Sequence, residues 1–133
     1  MINKGLVMRI QSGIATSFPA CRGGFEGQLP PNAAPPAYSY RVISDPANTT
    51  LRSFRGFGNR RYEFKCWGID AASADALADA IDAQLDGFSG VLTDPDATRV
   101  DSMFRTDRLE ADLSPSSRNF WVMLEYSIWF YQP

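Results

Sequence analysis

The sequence contains no histidine, two cysteines and only two lysines in 133 residues. Without histidine, imidazole acid–base catalysis, His-dependent triads and His-bearing metal sites are excluded. Cys21 and Cys66 make neither a metal-binding spacing nor a disulfide framework, and both are expected to be reduced. No apolar run reaches the length of a membrane span. Phosphate-loop, nucleophile-elbow and dinucleotide-binding signatures are missing. Gly87-Phe88-Ser89-Gly90 is too short for the elbow, and it follows a helical pattern where the elbow should precede one. The N-terminal run to Cys21 has the outline of a lipoprotein signal, but Arg9 and Gln11 interrupt its apolar core. An intracellular, unprocessed chain is expected. A carboxylate pair could still hydrolyse a sugar, yet nothing marks one out. The chain is expected not to be an enzyme, with no catalytic, cofactor or metal residue.

What remains is an ordinary globular composition, 44% hydrophobic and 21% charged, sized for a single domain over residues 1–133. The net charge is −2, but it is unevenly placed. Residues 1–65 carry nine Lys or Arg against three acids, or +6; residues 66–133 carry four Arg against twelve acids, or −8. Arginine outnumbers lysine eleven to two, and its planar fork suits paired, partly desolvated contacts. One reading is solubility alone. The other is a polar subunit whose basic side meets a neighbour's acidic side.

Hydrophobic spacing predicts the elements. Leu6, Ile10, Ile14 and Phe18 recur every four residues, which predicts a first helix ending before Pro19. Residues 21–36 read as loop, Tyr38 to Ile43 as a strand, Asp45 to Asn48 as a turn, and 49–59 as a loop or hairpin tip. Tyr62, Phe64 and Cys66 alternate with Arg61, Glu63 and Lys65, the mark of a half-buried strand. Asp70 or Ser73 caps a second helix with the core stripe Ala74, Leu77, Ala78, Ile81 and Leu85, stopped at Gly87. Turns follow at Asp94 to Asp96 and Leu113 to Ser117. Between them, Val100 and Phe104 are expected on one face of a strand and Asp101, Met103 and Arg105 on the other. The last strand is apolar on both faces: Phe120, Val122, Leu124, Tyr126, Ile128 and Phe130 on one, Trp121, Met123, Trp129 and Tyr131 on the other. It is therefore central, or covered from outside the domain. The order α-β-β-α-β-β predicts an α+β domain, an antiparallel sheet of four strands or slightly more packed by two helices.

Two patterns are candidate sites. Asp75, Asp79, Asp82 and Asp86 line one helix face, where like charges repel and no lysine on the helix offsets them. They form either a solvated face or a dock for arginines of another chain. Arg55-Gly56-Phe57-Gly58 resembles the start of an RNA-recognition signature, but Asn59 and Arg60 break it.

Residues 60–90 carry a broader likeness. Tyr62-Glu63-Phe64-Lys65-Cys66-Trp67-Gly68, then Ser73 to Ala78, then Ala83-Gln84-Leu85-Asp86-Gly87, resemble the core of the phage tail terminator family, also called tail completion or minor tail proteins of long-tailed phages. The entry Pro36-Ala37-Tyr38-Ser39-Tyr40 extends the likeness over most of the chain. The resemblance implies a virion protein without enzymatic activity. It implies a homo-oligomeric ring, usually a hexamer, at the head-proximal end of the tail tube. Such a ring ends tube growth, meets the tail tube protein and the head-side connector, and lets DNA pass without reading its sequence. It places the protein in the tail or neck of the virion, and in the host cytoplasm during assembly. A head-to-tail ring needs two complementary surfaces on each subunit. Arg52, Arg55, Arg60 and Arg61 are expected to reach a neighbour's Asp75, Asp79, Asp82 and Asp86, or to line the channel. Trp121, Trp129 and Tyr131 are expected to face a partner. Another neck or head-closure component, or a small RNA-binding module, are the alternatives.

Overall fold

A computed structural model of the chain describes residues 2–19, 21–27, 36–44, 57–93, 98–110 and 120–131. The turns expected at 45–48, 94–96 and 113–117, and the sites expected at Arg52 and Arg55, lie outside the described residues. The elements are α1 (Ile2–Ile14), β1 (Arg22–Glu26), β2 (Ala37–Ser44), β3 (Phe57–Gly68), α2 (Ala71–Leu85), β4 (Gly90–Val91), β5 (Arg99–Glu110) and β6 (Phe120–Tyr131). They build one six-stranded sheet in the order β1-β2-β3-β6-β5-β4.

The α+β class and the two helices agree with the sequence reading; the sheet has six strands where four or slightly more were expected. Its four central strands, β2-β3-β6-β5, are antiparallel throughout. At one edge, β1 runs parallel to β2, in a stretch read from its glycines as loop. At the other, β4 adds two residues beside β5. The strand β3 also begins at Phe57, inside the stretch read as a loop, because it pairs along the whole of β6.

The helices pack on one face of the sheet. In α1, Ile2, Leu6, Ile10 and Ile14 form the buried stripe; the helix ends a turn earlier than expected, and the Phe18 amide still donates to the Ile14 carbonyl at 2.7 Å. In α2, Ala74, Leu77, Ala78, Ile81 and Leu85 are buried. They meet Tyr62, Phe64 and Cys66 of β3 and Val122, Leu124, Tyr126, Ile128 and Phe130 of β6 in one shared cluster. Fully burying one such aliphatic side chain contributes about 1.5–3 kcal/mol, so this stripe dominates the stability of α2.

Local chemistry places α2. Asp70 is its N-cap: its carboxylate accepts from the Ser73 amide at 2.7 Å, while the Ser73 hydroxyl accepts from the Asp70 amide at 3.3 Å. This reciprocal pair satisfies two free amides at the helix start. Gly68 lets strand and helix approach, since a Cβ there would stand 2.3 Å from the Ala74 nitrogen. At the far end Gly87 takes the left-handed conformation (φ +79°), and its amide donates to the Met103 carbonyl at 2.8 Å. That bond ties the end of α2 to β5.

Two bulges in β5 correct the expected faces. The pairing register shifts between Val100 and Ser102 and again between Arg105 and Asp107. Each extra residue moves the following side chains to the opposite face. Val100 and Met103 are therefore both buried, while Phe104 is on the other side and 45% exposed.

Candidate assembly interface

The two bulges of β5 set the electrostatics of α2. The first bulge puts Arg105 on the helix side of the sheet, opposite Tyr126, and the second returns Arg108 to that side, opposite Leu124. Arg108 donates to Asp75, and to Asp79 at 2.6 Å. Arg105 donates to Asp82 at 2.9 Å, and its backbone amide donates to the Asp86 carboxylate at 2.9 Å. The buried Tyr126 hydroxyl donates to the other oxygen of Asp82 at 2.6 Å. Burial pulls the Arg108 guanidinium down, but its bonds to Asp79 and Asp75 win and hold it above its ordinary value. Tyr126 is pushed well above the usual phenol range, by burial first and then by its bond to Asp82.

All four aspartates thus have partners within the chain. This differs from the expectation that their cations come from a neighbour. The sequence reading compared the helix only with itself, whereas the compensating arginines lie on a strand about twenty to thirty residues later, beyond the reach of helix-spacing rules. Ideal alternation from Val100 would put Arg108 on the helix side but Arg105 on the other, and the first bulge brings Arg105 over. The row still has open capacity: the Asp79 side chain is 67% exposed and that of Asp75 is 48% exposed.

Arg60 and Arg61 point to opposite faces of the sheet, as neighbours in a strand must. Arg60 lies on the helix side, its guanidinium 5.4 Å from the centre of the Phe130 ring. Arg61 lies on the outer side and pairs with Glu125 at 2.9 Å. They cannot reach one surface together from a regular strand.

Among the described residues, no helix or strand packs on the outer face of the sheet. Cross-strand register lays out its rows. Trp67 stands opposite Trp121, and the Lys65 amine sits 5.2 Å and 4.5 Å from their ring centres. Lys65, Met123 and Leu109 form the next row, and Glu63, Glu125 and Asp107 the one after. Like charges directly opposite destabilise a sheet. Arg41 relieves Glu63 at 2.9 Å, and Arg61 relieves Glu125. The bond to Glu63 raises the Arg41 guanidinium above its ordinary value. Trp129 and Tyr131 follow beyond this band, Trp129 half-buried and Tyr131 43% exposed. The face is therefore apolar and aromatic at both ends, with a band between in which Glu63 and Glu125 are charge-compensated.

The described residues contain no group of three or more metal-ligating side chains, and no described helix is long and apolar enough to cross a membrane. Cys21 and Cys66 are free thiols, as expected. Burial pushes Cys21 up to about 11 and Cys66 further, so both stay protonated at neutral pH.

No protein-family model matches the chain, and no curated protein sequence matches it. A chain in the solved virion of a native gene transfer agent particle has the same fold. The match has a TM-score of 0.67 at 12% identity and covers 97% of this chain and 93% of that one.

Proposed function

We propose that this chain is a structural protein of a virion, and specifically a tail terminator. Copies form a ring, hexameric by the family likeness, at the head-proximal end of the tail tube. The ring ends tube polymerisation and presents its other side to the head connector, while DNA passes through without sequence reading. The observation that carries this is the near end-to-end match with a chain of a gene transfer agent virion, which leaves little of either chain outside the shared fold. It supports the virion reading directly, and the likeness of residues 60–90 to tail terminators supports the finer role.

The mechanism is surface complementarity without catalytic or cofactor residues. The outer sheet face supplies the apolar contact, with Trp121, Trp129 and Tyr131 as anchors; aromatic side chains are enriched at interface cores. Glu63 and Glu125 in its charged band are already paired with Arg41 and Arg61, so a protein partner need not supply charge for them. The acidic face of α2 adds a polar contact, in which Asp75 and Asp79 share their exposed oxygens with an arginine of a neighbour, from Arg52, Arg55, Arg60 or Arg61. Arg52 and Arg55 serve equally well in a channel lining.

Arg41 and Arg61 on the outer face are already held by Glu63 and Glu125, and Asp107 beside them adds negative charge, which weighs against the RNA-binding alternative. A different neck or head-closure protein would share the surfaces but not the effect on tubes. Adding the purified chain to a growing preparation of its tail tube protein separates the two. A terminator caps tubes and narrows their length distribution, whereas unchanged tube growth would reject that role.

A further inference from the structure

Most charged side chains of the described residues are engaged within the chain, and Arg9 is engaged without a carboxylate. Arg9 projects from α1 across the C-terminal end of α2. Its Nε donates to the Gln84 carbonyl at 2.6 Å, and its guanidinium lies 3.7 Å from the centre of the Phe88 ring. No carboxylate of the described residues meets it. Burial lowers this guanidinium, whereas Arg41 and Arg108, which hold carboxylates, are raised. Arg9 lines a cleft of about 280 Å³ with Ser12, Gln84, Phe88 and Thr93. The cleft holds a fork-shaped donor, two hydroxyls and one aromatic wall, a set suited to a carboxylate.

The complementary charge lies at the other end of α2. Glu110 is exposed at the end of β5 and makes no ion pair among the described residues. It borders a separate cleft with Ala71, Asp75 and Trp121, beside the start of α2. Fifteen helical residues put the two ends of α2 about 22 Å apart. A cation and an anion without ion pairs among the described residues, at opposite ends of α2, offer two different and complementary surfaces of the kind a head-to-tail contact uses.

We propose that the Arg9 cleft receives the Glu110 carboxylate of a second copy of this chain. The contact rests on the reading above that copies assemble into a ring, and it gives that ring a defined polar joint.

Charge swapping tests it, with self-association followed by native mass spectrometry at low ionic strength. Arg9→Glu and Glu110→Arg should each weaken association roughly 10- to 100-fold, as like charges then face each other. Mixing the two variants should restore it, because each then supplies the other's complement in alternating copies. Normal assembly of both single variants would overturn the joint while leaving the ring intact. Failure of the mixture to assemble would overturn this pairing of residues. A native chain that never self-associates would instead overturn the ring reading, and the joint with it. Arg9→Glu also loses the Gln84 contact, so folding is checked by circular dichroism. Should that variant not fold, Glu110→Arg and Glu110→Gln carry the test. Reversal must weaken association more than neutralisation does, and native-like assembly of both overturns the joint.

Discussion

The bond between Tyr126 and Asp82 carries a measurable share of the stability. Tyr126 is fully buried, and its hydroxyl has Asp82 as partner at 2.6 Å. Asp82→Ala leaves that hydroxyl unsatisfied, which costs about 1–3 kcal/mol. It also removes the pair with Arg105, whose side chains are 34% and 21% exposed; at such exposure the pair adds only about 0.2–1 kcal/mol. The expected loss is about 2 kcal/mol, or about 6–8 °C in Tm for a domain of this size. Tyr126→Phe removes the hydroxyl itself, so the double variant should lose less than the sum of the two, with a coupling of about 1–2 kcal/mol. Urea unfolding followed by tryptophan fluorescence reads all four corners of the cycle. The oligomeric state must be held constant, because assembly shifts apparent stability. An Asp82→Ala chain within about 0.5 kcal/mol of the native one, or losses that simply add, would refute the claim that this bond fastens α2 to the sheet.

Four further outcomes follow from the same geometry. Stability should fall as pH rises past 10, because burial raises Tyr38 and Tyr126 above that ordinary value and only the unfolded chain then ionises freely; Tyr126→Phe should flatten the slope in pH-dependent urea melts. Gly68→Ala should cost about 1–3 kcal/mol by forcing the end of β3 away from the first turn of α2, read as a lowered midpoint in the same melts. Iodoacetamide should label Cys21 slowly at pH 8 and leave Cys66 unlabelled until the chain unfolds, which peptide mass spectrometry would reveal. Dilution of the assembled protein should shift tryptophan emission if Trp121 and Trp129 are interface anchors, and a Trp129→Phe variant assigns the part due to that residue.

The parts of the fold governed by local periodicity were legible in the sequence. The stripe of α2, the Asp70–Ser73 cap, the Gly87 stop and the alternation of β3 and β6 depend on neighbours within a few residues, and they stand as read. What escaped depends on distant pairing. The glycines of Arg22–Glu26 read as loop, yet β2 recruits them as a parallel edge strand, where Gly23 leaves room for the Tyr38 ring. Phe57 to Asn59 read as loop until β6 supplies partners along its full length. The bulges in β5 have no clear mark in composition, and they decide which way Met103, Phe104 and Arg105 point. The candidate site inherits that limit: the aspartate row was visible, but its partners across the sheet were not.

The account stands or falls on self-assembly. The most direct measurement is the mass and shape of the purified native chain at low ionic strength, by native mass spectrometry with negative-stain microscopy of the same sample. The account predicts one closed species of several copies, seen end-on as a ring with a central hole and dissociating as salt is raised. A chain that remains a monomer at every concentration and salt level would contradict it.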